Sequence, residues 1–231
     1  MKKETIIALV LDETGSMANK REETIAGVNE YFDTIQEKNT KVLITLVKFS
    51  SEKYEVMCSN MPVKKAPRLS NKNYIPNGGT PLFDSVGKTI RTIEAECAGK
   101  GTSPAVLCVI VTDGEENASV EYTRERIFEV IKEREDAGWN FAYLGANQDV
   151  WTTGVGIGVR GTSTMNFADS GGGMVLGLAN VAAASNAYLD NDSTLSCGAG
   201  YFQKSSDWYT DTDVKLYQSR IEDRIKKSKD K

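Results

Sequence analysis

Ile6-Ile7-Ala8-Leu9-Val10-Leu11-Asp12-Glu13-Thr14-Gly15-Ser16 is the stretch that decides the fold. Its apolar run has strand length and does not alternate with polar residues. Such a strand is covered on both faces, as parallel strands of an α/β sheet are. The run stops at an acid, and a turn carrying glycine and two hydroxyls follows. Two further runs of the same kind occur at 42–47 and 106–111.

Helical patterns fill the intervals. Ile25, Val28, Phe32 and Ile35 recur at helical spacing, as do Leu82, Val86, Ile90, Ile93 and Cys97, and then Ile127, Val130 and Ile131 before a stop at Gly138. Segment 52–58 follows the second strand after a break short enough only for a hairpin, so one edge strand is expected to be antiparallel. Trp139–Gly145 and Gly161–Phe167 read as further strands, and Gly171–Leu189 as a helix. The alternation predicts an α/β domain over residues 1–190, with a doubly wound, mostly parallel sheet and helices on both faces. Residues 191–231 form a C-terminal extension in which Val214, Tyr217, Ile221 and Ile225 mark an amphipathic helix. That helix docks on its own domain or on a partner, and Tyr201, Phe202, Trp208 and Tyr209 offer an aromatic patch for the same purpose.

Composition narrows the function. The chain has 231 residues, 40% apolar and 26% charged, which is globular and not disordered. A net charge of −4 leaves no basic footprint for nucleic acid. The absence of histidine removes Ser-His-Asp and Cys-His catalysis and histidine–zinc sites. The four cysteines have no CxxC spacing, and Cys108 lies inside an apolar run. A reducing, cytoplasmic setting is therefore expected. The first apolar run is too short for a signal peptide, and no run reaches the length of a membrane span.

Three loops carry the chemistry. Asp12, Thr14 and Ser16 sit at i, i+2 and i+4, where a tight turn at Gly15 would aim their oxygens into one concavity. Asp113 ends the third apolar run, in Val111-Thr112-Asp113-Gly114. Adjacent parallel strands would bring Asp12 and Asp113 to the same edge, where open α/β sheets bind ligands. Asn77-Gly78-Gly79-Thr80-Pro81 lets the backbone approach closely and places Thr80 at a helix start. Each loop also reads as an ordinary helix cap. Together they offer two carboxylates and three hydroxyls, an all-oxygen set suited to a hard divalent ion, Mg²⁺ first, with Mn²⁺ or Ca²⁺ as substitutes.

The set Asp12-x-Thr14-x-Ser16, Thr80 and Asp113 resembles the metal-ion-dependent adhesion site of von Willebrand factor type A domains, over roughly residues 4–190. The resemblance implies that Asp12, Thr14, Ser16, Thr80 and Asp113 hold the metal directly or through water. Thr14 departs from the family's usual serine, and its extra methyl would crowd the site. The turn Asp113-Gly114-Glu115-Glu116-Asn117 is similar to the family's acid-glycine-acid turn. Glu13, Gly79, Glu115 and Glu116 are then expected on the rim that meets a partner. Neutral hydroxyls leave much of the metal's charge unquenched, so its open position prefers an Asp or Glu carboxylate from a protein partner. Stand-alone domains of this kind resemble those of bacteria and phages, where they act as adaptors or assembly factors, some with AAA-type ATPases.

Two other functions stand beside metal-dependent recognition. One is an assembly protein that forms homo-oligomers through its tail, with metal only stabilising it. The other is a metal-dependent hydrolase using Glu115 or Glu116 as base. A haloacid-dehalogenase-type phosphatase would need a second acid where Thr14 stands. Gly156-x-Gly158-x-x-Gly161 precedes a strand instead of following one, so it reads as a flexible loop and not as a dinucleotide fingerprint. Gly171-Gly172-Gly173 lacks the phosphate-loop pattern and reads as a plain loop.

Overall fold

The first and third apolar runs lie side by side at the centre of one sheet. The computed structural model describes residues 4–37, 41–101, 104–146, 150–168, 172–190 and 210–229. Six strands, β1 (Thr5–Asp12), β2 (Val42–Phe49), β3 (Tyr54–Pro62), β4 (Ala105–Thr112), β5 (Asn140–Ala146) and β6 (Thr164–Phe167), lie in the order β3-β2-β1-β4-β5-β6. All neighbours are parallel except β2 and β3, the hairpin that forms one edge. The fold is the doubly wound α/β arrangement expected, with a C-terminal helix added.

Successive side chains of β1 point to opposite faces, and both faces are covered. Ile7, Leu9 and Leu11 enter one core with helices α1 (Arg21–Glu37) and α5 (Gly173–Asp190). Ile6, Ala8 and Val10 enter the other with α2 (Leu82–Lys100) and α3 (Arg124–Asp136). This two-sided burial is the physical reason that the run has no polar alternation. Cys108, fully buried at mid-β4, has its thiol pushed up to about 12 by desolvation. Among the described residues no helix is long and apolar enough to cross a membrane.

The segment expected to be a flexible loop at 156–161 is tied down. A short helix, α4 (Val150–Gly156), leads into it, and Ile157 and Val159 are buried in the second core. Those two side chains alternate with glycines, and their burial fixes the segment. The aromatic cluster Tyr201, Phe202, Trp208 and Tyr209 lies outside the described residues.

The amphipathic tail helix, α6 (Asp211–Lys229), packs on α1 and α5 of its own domain. Val214, Tyr217 and Ile221 are buried in the first core, so the stripe read from the sequence is used internally. Arg224 pairs with Glu30 and Asp33, and Arg220 with Glu30 and Glu37, across the α1–α6 seam. Ile221 is 1% exposed. Ile221→Ala should therefore lower unfolding free energy by about 2–4 kcal/mol in chemical denaturation. Unchanged stability would mean that the helix does not rest on its own domain in solution.

Candidate functional site

The chain runs outward from β1 to β2 and β3, then returns to build β4, β5 and β6 on the other side. The crevice at the carboxyl ends of β1 and β4 is therefore the switch point of the sheet. Leu11 pairs with Val111 in register, so Asp12 and Thr112 end their strands at the same level and Asp113 follows one residue on.

Asp12 is fully buried. Its Oδ1 accepts the Thr14 N–H at 2.7 Å, and its Oδ2 accepts the Thr112 hydroxyl at 2.5 Å. Burial raises its carboxyl from 3.8 to about 6 against the pull of these hydrogen bonds, and the nearby charge of Asp113 adds to the rise. The Tyr74 hydroxyl donates to the Asp12 carbonyl at 2.7 Å, which pins the strand end from below. Thr14 Oγ1 lies 3.1 Å from Ser16 Oγ, which in turn donates to Asp113 Oδ1 at 2.5 Å. A continuous line of oxygens thus joins residues 97 positions apart. Ser16 is exposed at the mouth, whereas Thr14 and Asp113 are buried.

Thr80 is brought to the same place by its backbone. Its N–H donates to Asn117 Oδ1 at 2.8 Å and its carbonyl accepts from the Asn117 N–H at 3.1 Å. A Cβ on Gly114 would fall 2.9 Å from Thr80 Oγ1 and 3.4 Å from Ser16 Oγ. The hydroxyls of two loops therefore converge over a position that only glycine leaves open. Gly78, at φ +78°, completes the turn that brings the Thr80 loop against the first one, and its carbonyl accepts the Gly15 N–H at 3.0 Å.

The four expected rim residues differ in placement. Glu115 is exposed beside the site, and Gly79 is half-buried with its N–H on Ser51 Oγ at 2.8 Å. Glu13 is turned inward instead. It is 8% exposed, and its carboxylate accepts from Lys48 at 3.0 Å and from the Ile75 N–H at 2.6 Å. The neighbouring Lys48 ammonium draws it off the rim. Glu116 is also engaged: it accepts from the N–H groups of Phe83, Ala118 and Ser119 and from the Ser119 hydroxyl, which leaves it holding its own loop to the start of α2.

Among the described residues no three His, Cys, Asp or Glu side chains gather as a metal cage. What the crevice offers is two carboxylates and three hydroxyls, a donor set that suits a hard cation retaining some of its water. One of the two carboxylates already has a cationic neighbour. Lys20 Nζ donates to Asp113 Oδ2 at 2.7 Å, with the two side chains 9% and 1% exposed. The oxygen set fits a divalent cation, and a resident ammonium already sits on one of its acids.

Sequence reasoning missed Lys20, Thr112, Tyr74, Asn117 and Asp84. Two of them had a signal. Lys20 lies four residues after Ser16, one helical turn along, and Thr112 directly precedes Asp113. Asp84, in the first turn of α2, accepts three backbone N–H groups, from Val120, Glu121 and Tyr122. It anchors the loop that carries Glu115 to Asn117.

The sheet order and its flanking helices define the class: the chain has the von Willebrand factor type A fold. It resembles the VWA domain of SpRpn10 in structure, with a TM-score of 0.53 at 11% identity, covering 78% of this chain and 95% of that one. It also resembles proximal thread matrix protein 1 from the mussel byssus, with a TM-score of 0.50 at 14% identity. That likeness covers 84% of this chain and 46% of the mussel protein. No protein-family model matches the chain, and no curated protein matches it in sequence.

Proposed function

We propose that this chain is a protein-recognition module whose crevice at the ends of β1 and β4 takes a divalent cation, Mg²⁺ first, and through it a partner's Asp or Glu carboxylate. The observation that carries the reading is the meeting of Thr14, Ser16, Thr80 and Asp113 oxygens from three separate loops, beside the strand end that carries Asp12. Mn²⁺ or Ca²⁺ would serve as substitutes.

Asp12 and Asp113 would supply the negative charge, and Thr14, Ser16 and Thr80 the neutral oxygens. Bound there, the cation would supply an incompletely quenched positive charge for an incoming anionic oxygen. Glu115 and Gly79 would border the contact. The reading is one of binding: of the two acids that a hydrolase would use as base, Glu116 spends its carboxylate on backbone amides, and Glu115 stands exposed beside the crevice where a partner would meet it. Buried thiols at Cys58 and Cys108 support a reducing, cytoplasmic setting.

The test is affinity capture of partners from a lysate with Mg²⁺ and again with EDTA. Partners should be retained in Mg²⁺ and lost in EDTA. Retention that is indifferent to chelation would overturn the reading.

A further inference from the structure

Lys20 closes the turn Gly15–Lys20 that also carries Ser16, so a cation-binding hydroxyl and an ammonium ride on one short segment. The ammonium is buried and sits on Asp113 Oδ2, while Ser16 occupies Oδ1. Both oxygens of this acid are therefore engaged, one of them by a full positive charge. We propose that Lys20 is a tethered counter-cation that competes with divalent metal for Asp113, so that loading the site requires its ammonium to move away. The proposal rests on the metal reading above.

The physical case is one of like charge at short range. A divalent ion drawn to Asp12 and Asp113 would sit near an ammonium already 2.7 Å from one of those acids, in surroundings where water screens poorly. Something must yield, and the lysine stem is the flexible party. Glu23, in the first turn of α1, lies within electrostatic reach of Lys20 and is only partly buried. A released ammonium has a second acid within electrostatic reach. Without metal, Lys20 gives Asp113 a counter-charge at 2.7 Å. With metal, the ion takes over that role. The consequence is a site that is stable when empty but binds metal weakly, responding to high cation concentration or to a partner carboxylate that helps retain the ion.

The test is isothermal titration of the full chain with Mg²⁺ and, separately, with Mn²⁺, in wild type, Lys20→Met and Lys20→Arg. Lys20→Met removes the charge and keeps most of the stem. It should bind at least about tenfold more tightly than wild type. Lys20→Arg keeps the charge and should bind as wild type does. If Lys20→Met fails to fold by circular dichroism, Lys20→Gln, which retains a donor towards Asp113, takes its place. A neutral variant that binds no more tightly than a metal-binding wild type overturns the competition and leaves the proposed function standing. An arginine variant as tight as the neutral one overturns it too, since shape and not charge would then set affinity. Absence of binding in wild type and neutral variant alike overturns both readings. Binding by the neutral variant alone supports competition in its strongest form.

Discussion

Asp12→Ala should abolish Mg²⁺ binding while the chain stays folded, measured by calorimetric titration alongside thermal unfolding. Asp12 is the acid at the floor of the crevice, and no other described carboxylate stands at the end of β1 to replace it, since Glu13 is committed to Lys48. The fold should survive because the losses and gains nearly cancel. The alanine strands the Thr14 N–H and the Thr112 hydroxyl, which lose their acceptors. It also removes a carboxylate whose charged form burial opposes. Unchanged Mg²⁺ affinity would remove Asp12 from the site, and a collapse of the fold would assign it a structural role first.

The second large effect is expected at Asp84, which touches neither the crevice acids nor the mouth. Its carboxylate, 3% exposed, accepts the N–H groups of Val120, Glu121 and Tyr122 at 2.8–3.0 Å. Asp84→Ala leaves three amides short of a partner and should cost about 3–5 kcal/mol in urea unfolding, less whatever water recovers at the exposed end near Val120. Asp84→Asn retains one acceptor oxygen and should cost about half as much. A loss below about 1 kcal/mol for the alanine variant would mean that the loop is held by other contacts, Glu116 foremost. In variants that remain folded, the loop bearing Asn117 should loosen and metal affinity should fall, because Asn117 positions Thr80.

The architecture was legible because burial leaves a mark on sequence. Strands covered on both faces lose their polar alternation, as 6–11 and 106–111 do, and the short break after Phe49 admits only a hairpin. The tail stripe was legible for the same reason, since Val214, Tyr217 and Ile221 fall at helical spacing. Its docking site was not. An apolar stripe states that it will be covered, and says nothing of which surface covers it. The segment 156–161 was misread because its glycines signal flexibility, whereas the burial of Ile157 and Val159 between them is a tertiary fact.

The site divides in the same way. The sequence by itself determined which oxygens the carboxyl edge would offer, because Asp12, Thr14, Ser16, Thr80 and Asp113 each follow or precede an element whose ends can be read locally. Tertiary structure alone decided which charges those oxygens meet. Lys48 draws Glu13 inward and Lys20 settles on Asp113 because segments 35 and 93 residues apart are pressed together where water is scarce. In such surroundings a charge must find its opposite, and which opposite it finds depends on the folding of the whole chain.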